Sequence, residues 1–217
     1  MNEEVPLFPL NTVLFPGMPL PLHIFEPRYR EMIGMCSDEN VPFGVVLIKE
    51  GIEVGEPATP FDIGTMAKIV GVDRMNDGRL NIVTVGTHRF RIHSFSTKKR
   101  AYMVGDVEIL EAEPANAAPN IELVTDVGAL VQRYVAMIQA ASEQEMTPLQ
   151  LPGTAEDLSY LVGAVLRVGN EERQRLLETT STAGRLEIER ELLRNESKTL
   201  EEFLQRRGSS LGPFSRN

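Results

Sequence analysis

Apolar residues follow two different rhythms along this chain. Up to about residue 112 they form short runs or alternate with polar residues, and beyond about residue 120 they recur every three or four positions. Alternation puts successive side chains on opposite faces of a strand, whereas three-four spacing puts them on one stripe of a helix. In the first part, the apolar run Phe43 to Ile48 follows Pro42 and predicts a buried strand. Thr65 to Val72 and Leu80 to Val85 predict two more, with the hairpin signal Asn76-Asp77-Gly78 between them. Gly86-Thr87 reads as a break. His88 to Phe95 then alternates, with Phe90 and Ile92 on one face and Arg89, Arg91 and His93 on the other. Tyr102 to Leu110 closes the series. Many short strands joined by turns predict a small barrel or folded sheet.

The opening run from Val5 to Tyr29 carries six prolines among large apolar residues. Proline fixes φ and lacks an amide donor, which excludes a helix interior and a central strand. The run is therefore read as short extended pieces, broken most clearly at Pro16-Gly17. Pro27 suits the first turn of a helix, which predicts one over about Pro27 to Cys36.

In the second part, Ile121, Val124, Val127, Val131, Tyr134, Ile138 and Ala141 share one helical stripe, with Asn120 as N-cap. Thr154 to Asp157 has capping-box spacing ahead of Leu158 to Leu166, and Gly169 is read as the stop. Asn170 caps a short helix to about Glu178, and Ser181 caps a last one that Gly208 ends. The expected organisation is a β subdomain over 1–112, a proline-bearing linker over 113–119, a helical subdomain over 120–208 and a disordered tail over 209–217.

Several blocks carry a resemblance: PLFPL at 6–10, VLFPGMPLPLHIFEPRY at 13–29, FGVVLI at 43–48, IGTMAKI at 63–69, DGRLNIVTVGTHRFRI at 77–92 and RQRLLETTSTAGRLEIERELLRNE at 173–196. In this order they resemble the Lon N-terminal domain, the substrate-recognition domain at the front of ATP-dependent Lon proteases, which also occurs as a stand-alone protein in bacteria. The resemblance implies an α+β fold, with a PUA-like β pseudo-barrel holding one short helix, followed by a helical bundle. It also implies a stand-alone, non-catalytic module that recognises unfolded or extended polypeptide, in the service of a protease or chaperone system.

Composition narrows the partners. The chain has 217 residues, 42% hydrophobic and 24% charged, which is the composition of a soluble globular protein. The single Cys36 excludes an internal disulfide framework, and the acidic, proline-interrupted N-terminus lacks the form of a signal peptide, so a cytoplasmic location is expected. No apolar stretch approaches the ~20 residues of a membrane span. A net charge of −9 disfavours nucleic acid and anionic membranes.

No catalytic constellation is legible. No phosphate-binding string is present, and the neighbours Ser197-Lys198 project about 100° apart on a helix, the wrong geometry for a dyad. His23, His88, His93 and Cys36 lack metal-ligand spacing, so no metal, no cofactor and no enzyme activity are expected. The candidate peptide-binding residues are Phe15, Pro16, Met18, Pro21, His23 and Phe25, in an apolar run too large to bury entirely. Proline-broken edges there are expected to accept a peptide by backbone pairing. Glu26 and Arg89 are a candidate structural ion pair, since both lie in resembling blocks. The alternative reading is RNA binding through Arg89, Arg91, Lys98, Lys99 and Arg100, with Phe95 and Tyr102 as the nearby aromatics. A small-molecule hydrolase is a third reading, for which no nucleophile-base motif speaks. No heptad run is long enough to define an oligomer.

Overall fold

The structure is a computed structural model. It describes residues 3–53, 58–111, 113, 119–142 and 148–210, with the side chains of 3 and 207–210 left aside. Most of the expected linker and all but the first two residues of the expected tail lie outside the described residues. The protein is α+β, in two compact units: one comprises 1–112 with 168–178, and the other 113–167 with 179–217.

Among the described residues the first unit holds seven strands: β1 (Glu3–Leu10), β2 (Pro19–Ile24), β3 (Phe43–Glu50), β4 (Thr59–Pro60), β5 (Ile63–Arg74), β6 (Leu80–Ser96) and β7 (Met103–Ile109). Helix α1 (Pro27–Glu39) lies between β2 and β3. Strands pair in the order β1-β7-β6-β5-β3, and β1 also pairs with β3 in parallel, which closes the ring. All the other pairings are antiparallel.

The ring is filled by Leu7, Val46, Met66, Phe90, Ile92 and Val107. Phe90 is fully buried, and Gly44 and Gly64 make room for its ring. A Cβ on either glycine would stand 2.6–2.7 Å from Phe90 Cζ. A second cluster packs α1, through Tyr29, Met32, Ile33 and Cys36, against Leu20, Ile24, Leu80 and Ile82. The Phe8 and Tyr29 rings stack there at 4.0 Å.

Local signals in the sequence have physical counterparts. Gly17 has φ +76° and Met18 N–H donates to Phe15 C=O at 3.0 Å, a tight turn at Pro16-Gly17. Gly78 has φ +82° in the β5–β6 hairpin, where Met75 N–H donates to Arg79 C=O at 2.9 Å. The expected break at Gly86-Thr87 is absent, and β6 runs through it. Gly86 serves close approach instead: its amide donates to Met18 C=O, its carbonyl accepts from Gly17, and a Cβ would meet Phe15 O at 2.3 Å.

Helix α4 (Asn170–Glu178) belongs to this first unit although its sequence lies among the helices. Polar side chains fix it there. Asn170 Nδ2 donates to Asn11 C=O at 2.9 Å, Arg173 to Val13 C=O at 3.2 Å and Gln174 to Ile63 C=O at 3.0 Å. The Arg173 guanidinium lies 5.5 Å from the Phe15 ring centre. Burial lowers the pKa of Arg173 from its ordinary value.

The second unit packs α2 (Ile121–Ala141), α3 (Ala155–Val165) and α5 (Thr182–Ser210). Asn120 and Thr154 cap α2 and α3 by accepting from Glu122 and Asp157 amides. The last helical residue of α3 is Val165, short of Gly169, because Leu166 turns to extended backbone and Arg167 N–H donates to Tyr134 Oη. Helix α5 continues past Gly208, a residue that costs about 1 kcal/mol inside a helix without ending it. Its core carries a buried polar chain: Arg185 Nε donates to Ser159 Oγ, which donates to Glu189 Oε1 at 3.1 Å. Burial pushes the Glu189 carboxyl well above the ordinary range, against the lowering influence of Arg185 and the Ser159 bond.

Candidate functional site

Strand β6 is long enough to serve two sheets. Its later part, from Phe90, pairs with β7 inside the ring, while Leu80 to Val85 pairs with β2 on one side and β5 on the other. This leaves a three-stranded outer sheet whose inner face rests on α1. The outer face is set by registers such as Pro21 beside Val83 beside Gly71, and His23 beside Asn81 beside Asp73. A Cβ on Gly71 would lie 3.9 Å from Val83 Cβ, so the floor between these strands is low.

This face brings together three of the six expected peptide-binding residues. Pro21 and His23 are exposed on β2, and Phe25, just beyond it, is 50% exposed. Val83 of β6, 43% exposed, joins them; its place on this face depends on a β2–β6 register that the sequence does not reveal. His23 Nδ1 lies 2.7 Å from Asn81 Oδ1, and the His23 and Phe25 ring centres are 6.1 Å apart.

The other three expected residues differ. Phe15 is fully buried, beneath the Arg173 guanidinium and beside Gly86, so it is a core residue and not a surface anchor. Pro16 and Met18 are half-buried in the turn that docks on β6, and Met18 packs on the core while its sulfur lies 3.7 Å from Arg173 Nη2.

The two edges of the outer sheet are chemically unequal. Proline cannot donate, so the donors that β2 gives to β6 come from Leu20, Leu22 and Ile24. Alternation of the ladder then turns Pro19, Pro21 and His23 outward, and that edge offers a single N–H, from His23. The expected backbone pairing along the proline-broken edge is thus disfavoured at β2. The same alternation sends the main-chain groups of Asn81 and Val83 to β5 and turns those of Val72 and Arg74 away from β6. Strand β3 pairs with β5 only from Thr65 to Ala67, so the segment from Lys68 to Arg74 pairs with β6 alone. A cavity of about 470 Å³ lies along it, lined by Cys36, Val41, Pro42, Lys68, Val70 and Val72 among others.

The expected ion pair is not formed. Glu26 pairs with its near neighbour Arg28 at 2.9 Å, while Arg89, buried on β6, donates to Leu177 C=O at 2.8 Å. Burial also removes Arg89 from the basic group proposed for RNA. Arg91, Lys98, Lys99 and Arg100 are exposed, but Lys99 pairs with Glu4. Tyr102 is buried, which leaves Phe95 as the exposed aromatic of that pair.

Among the described residues, no group of three or more His, Cys, Asp or Glu could hold a metal ion. Ser197 is buried in α5 and its Oγ has no partner among the described residues, while Lys198 beside it is exposed. Cys36 is buried in the α1 core, and burial together with Glu39 pushes its thiol up to about 11. No helix among the described residues is long and apolar enough to cross a membrane.

The model of the ATP-dependent protease La (LON) substrate-binding domain matches residues 4–195, and the chain belongs to that family. A Lon N-terminal domain protein from Xanthomonas campestris has a similar structure, with a TM-score of 0.63 and 28% identity over 85% of this chain and 95% of that one. The N-terminal domain of a Mycobacterium avium complex Lon protease shares the fold, with a TM-score of 0.62 at 20% identity over 88% of this chain and 98% of that one. Among curated proteins, Lon protease 2 of Syntrophobacter fumaroxidans is 28% identical over 86% of this chain, and Lon protease 1 of Hydrogenovibrio crunogenus 25% identical over 82%. The chain spans about a quarter of the length of these relatives: 24% and 22%.

Proposed function

We propose that this protein recognises polypeptide non-covalently through the outer sheet of β2, β6 and β5. Membership of a substrate-binding domain family supports the reading. The observation that carries it is the exposure of Pro21, Val83 and Phe25, with the His23–Asn81 pair between the first two and Phe25. Exposed apolar side chains set among uncharged polar ones mark a partner site, and side chains without charge select apolar segments. Neither a nucleotide nor a metal is required, and no bond is made or broken. A protease or chaperone system is the machinery such recognition would serve.

The experiment is binding of an unfolded protein, reduced and carboxymethylated lactalbumin, by the wild-type chain and by a Phe25→Ser, Val83→Ser variant. Both residues are half-exposed, so the variant is expected to fold and to bind at least tenfold more weakly. Equal binding by the two proteins would remove this face from the function. No structural observation favours RNA binding.

A further inference from the structure

The polypeptide that this sheet recognises needs a place for its backbone as well as for its side chains. Resting on the recognition reading above, we propose that the edge of β5 from Lys68 to Arg74 takes up an extended apolar segment of the bound polypeptide as an added strand.

Three observations carry this. The first is the contrast between the edges. Strand β2 turns Pro19 and Pro21 outward, a device that stops strands from adding. Strand β5 has no proline between Ile63 and Arg74, and turns the N–H and C=O of Val72 and Arg74 outward instead. Such a row of main-chain donors and acceptors is matched by one ligand class, another peptide backbone in extended form.

The second is the cavity beside that edge, about 470 Å³, between β5 and the end of α1. Ile69 packs on the core beneath it, and Val41, Val70 and Val72 all expose apolar surface along it. A strand added here would turn alternate side chains toward Val41, Val70 and Val72, with the polar Ser37, Asn40 and Thr87 lining the rest of the cavity. The bulge at Val70, where the β5–β6 register shifts between Ile69 and Gly71, leaves that side chain 57% exposed.

The third is charge. Lys68 lines the cavity, is exposed, and has no ion-pair partner among the described residues. Arg74 at the other end is held by Asp38 at 3.6 Å. The segment that fits is apolar with an acidic residue beside Lys68.

The test uses the full chain with reduced, carboxymethylated lactalbumin, an unfolded and acidic probe. Two measurements are made: amide hydrogen exchange at Val72 and Arg74 with and without probe, and the affinity of Val72→Pro. The proline removes an N–H that points away from β6, the change an edge strand tolerates, and its fold is checked by thermal unfolding. Strand addition predicts at least tenfold slower exchange at both amides and at least tenfold weaker binding by Val72→Pro. Tight binding of the probe with unchanged exchange at Val72 and Arg74 overturns the edge proposal while polypeptide recognition stands. No binding by the wild-type chain overturns both. Should Val72→Pro unfold, the exchange measurement alone decides.

Discussion

The Arg89 guanidinium donates to the main-chain carbonyl of Leu177 across 88 positions of sequence, at 2.8 Å. One residue is buried on β6 and the other lies in the last turn of α4, which follows α2 and α3 in sequence. This bond, with those from Asn170, Arg173 and Gln174, makes the β-rich unit discontinuous in sequence.

Arg89→Met should therefore destabilise the β-rich unit by about 1–3 kcal/mol, since it leaves a buried carbonyl without its donor. Arg89→Lys, which keeps one charged donor on a shorter reach, should recover part of the loss. Urea unfolding followed by circular dichroism checks both, and an unchanged midpoint in Arg89→Met would mean that the bond contributes nothing.

The barrel interior makes a second prediction. A Cβ on Gly64 would lie 2.5 Å from Val45 O and 2.7 Å from Phe90 Cζ, so Gly64→Ala must push either the backbone or the ring. Overpacking of this kind costs about 1–3 kcal/mol. The same substitution at Gly153, where an added Cβ would meet no atom of the described residues within 4 Å, should leave the thermal midpoint within a degree or two.

Glu189 gives a pH dependence. Its carboxyl titrates near the ordinary 4.5 when unfolded and well above it when buried in the folded chain. Between those values the folded chain binds more protons, so stability falls as pH rises through that window and levels off above the folded value. Glu189→Gln should lack this slope. Denaturant midpoints from pH 5 to pH 8 should fall in the wild type relative to the variant; parallel profiles would contradict the assignment.

The Cys36 thiol, buried and pushed up to about 11, should be inert toward a thiol reagent at pH 7.5. One equivalent should react only after urea is added. Reaction of the folded chain at the rate of a free thiol would show that the α1 core opens.

Much of the fold was legible because local chemistry specified it. Pro16-Gly17 and Asp77-Gly78 turn where their dipeptides demand, and Asn120 and Thr154 cap the helices they precede. What was not legible depends on pairing at a distance. Gly86 looks like a strand break in sequence, yet it is glycine because the loop from Phe15 to Met18 lies against it. Arg89 looks like a surface base on an alternating strand, and the helix that buries it lies some 80 residues onward. Phe15 and Phe25 are both aromatic residues of one apolar run, and only the register of β2 on β6 and the packing of α4 separate core from surface. The outer face was half legible for the same reason: Pro21, His23 and Phe25 are neighbours in sequence, whereas Val83 and the edge of β5 reach the site through pairing.

The most direct measurement is the affinity of the wild-type chain for reduced, carboxymethylated lactalbumin at 50 mM and 500 mM salt, with the Phe25→Ser, Val83→Ser variant beside it. Apolar recognition predicts binding that changes little with salt and weakens at least tenfold in the variant. Absence of binding, or binding that is lost at high salt and indifferent to the substitutions, would contradict the account.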